Sequence, residues 1–203
     1  MRRARPRHRP GQTWRTVLHH HAHELWACDV LPLVDVWCRQ VCAVCGIERG
    51  SRRGVHGGVT RHPTDAWTAH HLREAPPWGE RPHFLLRDHD GKDGAHRARG
   101  ADTSRIEVLR TPVHAPRANA VCERFLGSVR RECLDHIRIL NERHLGRVLR
   151  EYVDYFNHAR PHQGIKQATP AAIETATDQR QNSPTIVSVP ILGGLHHDYR
   201  LAA

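Results

Sequence analysis

The chain has 203 residues, with 31 Lys and Arg against 21 Asp and Glu, 19 His, a net charge of +10 and a pI near 10.2. That length suits one ordinary domain with a tail, and a hydrophobic share of 38% with 15 Gly supports a modest core and excludes a wholly disordered chain. The longest clean apolar run, Val41 to Ile47, is far short of the roughly 20 residues of a membrane span, and no apolar segment behind the Arg-rich start marks a secretory signal.

Residues 1–22 carry Arg2, Arg3, Arg5, Arg7 and Arg9 among His and Pro without periodicity, so they read as a disordered basic arm. From His23 short runs of Val, Cys, Trp and Leu are broken by Pro32, Gly46, Gly50 and Gly54. This predicts strands over 24–31, 36–47 and 52–60, with a turn over 48–51. Thr64 suits an N-cap and Asp65 the positive helix end, so a helix over 65–75 follows, stopped by Pro76 and Pro77. A fourth strand over 83–87 runs into the polar Asp88-His89-Asp90-Gly91-Lys92. A poorly patterned stretch that reads as helical leads to a short strand over 106–109 and a loop with Pro112 and Pro116.

The clearest helix covers 119–136, where Cys122, Phe125, Leu126, Val129 and Cys133 form one stripe and Glu123 and Arg130 lie opposite it. A second amphipathic helix starts near Asn141, with Leu145, Val148, Leu149, Tyr152 and Phe156 as its buried stripe. Beyond Ala171 the chain reads as a short helix and then a loose tail over 176–203. The order of elements predicts one mixed α/β domain over 23–175, with helices packed on a sheet.

Three acids stand out. Asp29 follows the apolar strand segment Leu25-Trp26-Ala27-Cys28, although Asp is depleted from strands. Asp88 leaves the strand Phe84-Leu85-Leu86, at the carboxyl end where open α/β sheets carry functional side chains. Glu123 lies in the first turns of the 119–136 helix, where it favours the helix dipole. Singly, each is an ordinary surface acid. Together they supply what hard divalent cations require: Mg²⁺ takes oxygen ligands and completes its shell with waters and substrate phosphates. Two such ions about 3.5–4 Å apart serve the attacking and leaving oxygens of an in-line phosphoryl displacement. A basic chain gains affinity for nucleic acid by releasing phosphate counterions, so the charge and the acids point to one substrate.

Asp29 in a first strand, Asp88 after a later strand and Glu123 on a helix, 35 positions beyond Asp88, resemble the Asp-Asp-Glu pattern of the integrase catalytic core of bacterial insertion-sequence transposases and retroviral integrases. The likeness rests on Trp26-Ala27-Cys28-Asp29, Arg87-Asp88-His89-Asp90-Gly91, the run APRANAVCERFLGSVRRECLDH from Ala115 to His136, and YFNHARPHQGI from Tyr155 to Ile165. The last is similar to the Tyr/Phe-Asn-x-x-Arg-Pro-His box of bacterial transposases. The resemblance implies an RNase H-like fold, a mixed five-stranded sheet flanked by helices with a helical C-terminal extension. It also implies metal-dependent cleavage of a DNA end and transfer of the freed 3′-OH to target DNA. Two Mg²⁺ (or Mn²⁺) ions would be held by Asp29, Asp88 and Glu123, with Asp29 bridging. The implied partners are element ends and target DNA, bound by a homo-oligomer in the bacterial cytoplasm, at the nucleoid when active. Arg124, Arg130 and Arg131 are candidates for phosphate contact or a solvated helix face. Arg160 and His162, beside Pro161, are candidates for DNA contact or packing.

Other constellations remain open at this stage. Cys38-x3-Cys42-x2-Cys45 with His56 suggests a zinc-stabilised nucleic-acid-binding module, although strand alternation turns Cys42 and Cys45 to opposite sides. Cys28, Cys122 and Cys133 read as core residues, all thiols being reduced in a cytoplasmic chain. The cluster His19-His20-His21-x-His23 reads as an exposed polar tract. A truncated, catalytically inactive transposase remnant is the alternative raised by Asp93, an acid where relatives carry an aromatic residue, and by the expected lack of a helix-turn-helix region ahead of the core. A nuclease of the same fold would cleave without joining.

Overall fold

The computed structural model describes residues 16, 20–74, 82–87, 106–110, 119–171 and 185–202. Asp88, Asp93, most of the basic arm and the helix expected between the fourth and fifth strands lie outside the described residues. In chain order the elements are β1 (Leu25–Val34), β2 (Gln40–Glu48), β3 (Gly54–Thr60), α1 (Asp65–Glu74), β4 (Phe84–Arg87), β5 (Glu107–Arg110), α2 (Ala120–Glu132), α3 (Glu142–His158), β6 (Ile186–Ile191) and β7 (His196–Leu201).

β1 to β5 form a five-stranded sheet in the order β3-β2-β1-β4-β5. The first three strands are an antiparallel meander, and β4 and β5 are added parallel to β1. Tight turns suffice within the meander, whereas a parallel step needs a crossover, and α1 lies in the one between β3 and β4. Alternation along β1 divides the core into two layers. Leu25, Ala27 and Leu31 join the larger layer with α2 and α3, and Trp26, Cys28 and Val30 join the smaller one with Leu85 and Trp67. β2 is covered on both faces, which is why Val41 to Ile47 reads as a continuous apolar run. β3 meets it with a register shift at Val44/Cys45 that skips Gly57, a bulge that bends the edge strand.

The α2 stripe is buried as its periodicity predicts, with Cys122, Val129 and Cys133 fully enclosed. The helix stops at Glu132 and continues as a 3₁₀ turn, Leu134–His136. Asn141 caps α3 by accepting a hydrogen bond from the His144 N–H at 2.9 Å. Leu145, Leu149 and Tyr152 on α3 are completely buried, each contributing about 2 kcal/mol by removal of apolar surface from water.

Two expectations are corrected. The second strand begins at Gln40, not at 36, because Asp35 organises residues 35–39 into the β1–β2 turn. Its Oδ1 accepts from the backbone N–H of Trp37 at 3.0 Å and of Arg39 at 2.9 Å, and its Oδ2 from Arg39 Nε at 2.8 Å. The tail read as loose over 176–203 contains an antiparallel hairpin, β6 paired with β7. It docks on the helices. His196 stacks on Tyr155 at 4.7 Å and donates from Nε2 to the Glu132 carbonyl at 2.7 Å, and the Leu192 N–H donates to Glu151.

Candidate active site

Asp29 sits midway along β1, opposite Cys45 of β2. By the period of two it belongs to the side of the strand that carries Leu25, Ala27 and Leu31, the side covered by α2 and α3. Its Oδ1 accepts from the Val30 N–H at 2.8 Å. Glu123 is exposed in the first turn of α2, immediately after the fully buried Cys122. The two acids thus belong to the two elements, β1 and α2, that pack together on this face. Cys122 is held well above the ordinary thiol range by burial first, then by Cys28, Asp29, Cys45 and Glu123. Asp29 likewise adds to the burial that pushes Cys28 and Cys45 up to about 12, with Arg87 opposing it at Cys28. Cys45 and Cys122 are packed in the layer on the Asp29 side of the sheet, and Cys28 in the layer on the other side.

Asp88 itself lies outside the described residues. Its predecessor Arg87 ends β4 in register with Cys28, the predecessor of Asp29. Asn119, at the N-terminus of α2, is 2% exposed, and neither its Oδ1 nor its Nδ2 has a hydrogen-bond partner among the described residues.

The arginines and histidine expected to touch DNA separate into two sets. Arg124, Arg130 and Arg131 are exposed on α2, Arg130 reaching the Pro32 carbonyl at 3.3 Å. Arg160 is engaged internally: Nη2 donates to Glu132 Oε1 at 2.6 Å and Nε to Oε2 at 2.7 Å, a bidentate pairing that fixes the end of α3 to the end of α2. Tyr152 adds its hydroxyl to Glu132 Oε2 at 2.8 Å. Burial tends to raise the Glu132 carboxyl, and the hydrogen bonds from Arg160 and Tyr152 overcome it and leave it below its usual range. His162 donates from Nε2 to the Phe156 carbonyl at 2.9 Å and packs edge-on against the Phe156 ring at 4.3 Å. Burial lowers its basicity. Arg160 and His162 thus both make packing contacts at the end of α3.

Two residues of this lock have no role in the sequence reading, Asn157 entering it only as part of the Tyr155–Ile165 box. Asn157 accepts from the Gly54 N–H at 2.8 Å and donates to the Gly54 carbonyl at 2.9 Å, substituting for a sheet partner where β3 begins. Gly54 is required there, since a Cβ would lie 2.8 Å from the Phe125 ring. Glu132 is the second. A buried Asn beside the aromatic Tyr155-Phe156 pair was the available signal for the first, and nothing local signalled the second.

The zinc expectation fails on geometry. Cys38 is exposed in the β1–β2 turn, at φ 58°, while Cys42 and Cys45 are buried in β2. His56, opposite Cys45, is pushed down to about 4 chiefly by burial. Among the described residues no three His, Cys, Asp or Glu side chains gather as a metal site. Nor is any helix among them long and apolar enough to cross a membrane.

Comparison with known proteins agrees with this architecture. Residues 104–170 match the integrase core domain family, a segment holding Glu123 and the Tyr155–Ile165 box but not Asp29 or Asp88. A chain of the simian T-cell lymphotropic virus intasome, solved in complex with PP2A regulatory subunit B56 gamma, is similar over 89% of this chain and 67% of its own at 12% identity and a TM-score of 0.57. The HTLV-2 integrase catalytic core domain in complex with magnesium is similar in its trimeric form over 74% of this chain and 95% of its own, at 13% identity and a TM-score of 0.56. Its dimeric form is similar over 73% and 94%, at 13% identity and 0.51. No curated protein matches the sequence. At these identities the structural likeness is one of fold: the chain shares the mixed α/β fold of integrase catalytic cores, and residues 104–170 match the integrase core domain family.

Proposed function

We propose that the chain is the catalytic core of a DNA transposase or integrase, with Asp29, Asp88 and Glu123 as its metal-binding carboxylates. The observation that supports the reading is the placement of Asp29 on the β1 face that α2 covers and of Glu123, exposed, in the first turn of that same helix. The donor set fits the metal. Carboxylate oxygens are hard ligands that suit Mg²⁺ or Mn²⁺ rather than zinc, and the neighbouring thiols are buried as packing. Mg²⁺, the ion in the HTLV-2 core, supplies charge stabilisation at a reacting phosphate when bound. Asp29, Asp88 and Glu123 are the residues that would hold the metal.

Two displacements at phosphorus follow. In the first, a water oxygen bonds to phosphorus at the DNA end, the P–O3′ bond breaks, and a free 3′-OH remains. In the second, that 3′-oxygen bonds to a target phosphorus and the target's own P–O3′ bond breaks. No protein nucleophile is needed, so the protein's task is placement and electrostatics. A homo-oligomer would hold the two DNA ends together, and Arg124, Arg130 and Arg131 are the exposed cations of α2 available to DNA phosphates.

The test is nicking and strand transfer on duplexes carrying candidate element ends, with Mg²⁺ or Mn²⁺, for the parent, Asp29→Asn and Glu123→Gln. Metal-dependent activity lost in both variants is the expected result. Nicking without joining would make the chain a nuclease, and a folded parent inert on every DNA would make it an inactive copy.

A further inference from the structure

The β2–β3 turn carries three arginines, Arg49, Arg52 and Arg53, and its frame is rigid. Arg49 N–H donates to the Leu25 carbonyl at 3.0 Å, Arg52 N–H to the Glu48 carbonyl at 3.1 Å, and Glu48 N–H to the Arg53 carbonyl at 2.9 Å. The acid at the turn is occupied elsewhere: Glu48 Oε2 accepts the Ser51 hydroxyl at 2.7 Å, and its other oxygen lies 3.9 Å from His23. Directly after the turn, Gly54 is pressed against Phe125 and clamped by Asn157. That seats the turn against α2 next to Arg124, the neighbour of Phe125.

Arg52, two residues before Gly54, and Arg124, one before Phe125, are thereby like charges on adjoining elements. Burial, and then the Arg124 charge, lowers the Arg52 guanidinium, while burial, and then Arg52, lowers Arg49. Among the described residues no carboxylate pairs with Arg52 or Arg124. Two neighbouring guanidiniums without an acid, those of Arg52 and Arg124, are unfavourable until an anion arrives, and a planar fork of donors suits phosphate oxygens. The backbone adds a second sign. Arg52 is held at φ 66°, a left-handed conformation that glycine adopts at lower cost, so the position retains a long cationic side chain against backbone preference.

We propose that Arg52, with Arg124 on the adjoining helix α2, is a phosphate-binding station for the DNA backbone, flanking the carboxylate site one residue away from Glu123. The proposal rests on the DNA-recombinase reading and names where the substrate's backbone is held. Because such contacts release counterions, each phosphate engaged contributes about 0.9 to the slope of log affinity against log salt.

The experiment is equilibrium binding of a fluorescein-labelled random-sequence duplex, without divalent metal, over a range of KCl concentrations. It compares the parent, Arg52→Gly, Arg124→Ala, the double variant and Arg147→Ala, an exposed arginine on α3. Arg52→Gly removes the cation while relieving the left-handed backbone, so it keeps the fold, which circular dichroism and thermal melting check. Each single variant is expected to flatten the salt slope by about 1 and the double variant by about 2. Affinity should fall to about a tenth in the double variant, with Arg147→Ala like the parent. An unchanged slope in Arg52→Gly, or an equal loss in Arg147→Ala, overturns the station while DNA binding by the parent keeps the recombinase reading intact. A folded parent that binds no DNA overturns both.

Discussion

Glu123 and Glu132 lie at the two ends of α2, and their surroundings differ in kind. Glu132 accepts from Tyr152 and twice from Arg160, and its own backbone carbonyl accepts from His196. Glu123 is exposed and accepts no hydrogen bond among the described residues. A carboxylate whose lone pairs are taken joins structure to structure; one whose oxygens are open ties no elements together and remains available for chemistry. Both lie in the matched segment, so membership of a motif alone does not distinguish them. Their partners do.

The strongest way to break this contrast is Glu123→Gln. It should lower metal-dependent nicking by about 10³-fold or more, as expected for loss of several kcal/mol of transition-state stabilisation, with an unchanged melting temperature. Reversed roles would show as a stability loss at Glu123. Glu132→Ala should instead cost about 2–3 kcal/mol in urea unfolding, the low end for a broken buried pair because both partners are about a quarter exposed, while nicking by the fraction still folded persists. Asn157→Leu leaves the Gly54 N–H and carbonyl unpaired, and about 2 kcal/mol should disappear in the same unfolding assay. His196→Ala tests how firmly the hairpin is attached: about 1 kcal/mol, with faster hydrogen exchange confined to residues 186–201.

The smallest effect is in acid. Because hydrogen bonds hold Glu132 below its ordinary value of 4.5, its contribution is complete above that value and is lost as pH falls through the lower folded one. Below about pH 4.5 the parent should therefore destabilise more steeply than Glu132→Gln, measured as the urea midpoint against pH. Parallel curves would mean that Glu132 is not held ionised by Arg160 and Tyr152.

Much of this fold was legible because β2 is a continuous apolar run and α2 and α3 carry clean stripes. Period and burial are local properties of a sequence. The β1–β2 turn was misread because Val36, Trp37 and Cys38 look like strand residues, while their conformation is set by Asp35 from outside the run. The β6–β7 hairpin was missed for a different reason. Most of its residues stay exposed, so it lacks the hydrophobic contrast that pattern reading needs, although Gly193 and Gly194 at positive φ marked its turn. At the site, Asp29 and Glu123 were visible as acids in unusual places. The Glu132–Arg160 pair was not, because the partners meet only when two helices fold back on each other.

The distribution of sulfur in this fold offers a practical handle. Of six free cysteines, five are buried and only Cys38, at the tip of the β1–β2 turn, is exposed. A thiol reagent should tag the native protein once, in the turn beyond the end of β1 rather than at any acid of the proposed site. The remaining five become reactive only as the sheet and helices open. Counting modified sulfurs by mass spectrometry would thus follow unfolding molecule by molecule, and a dye on Cys38 would report assembly on DNA without altering the core.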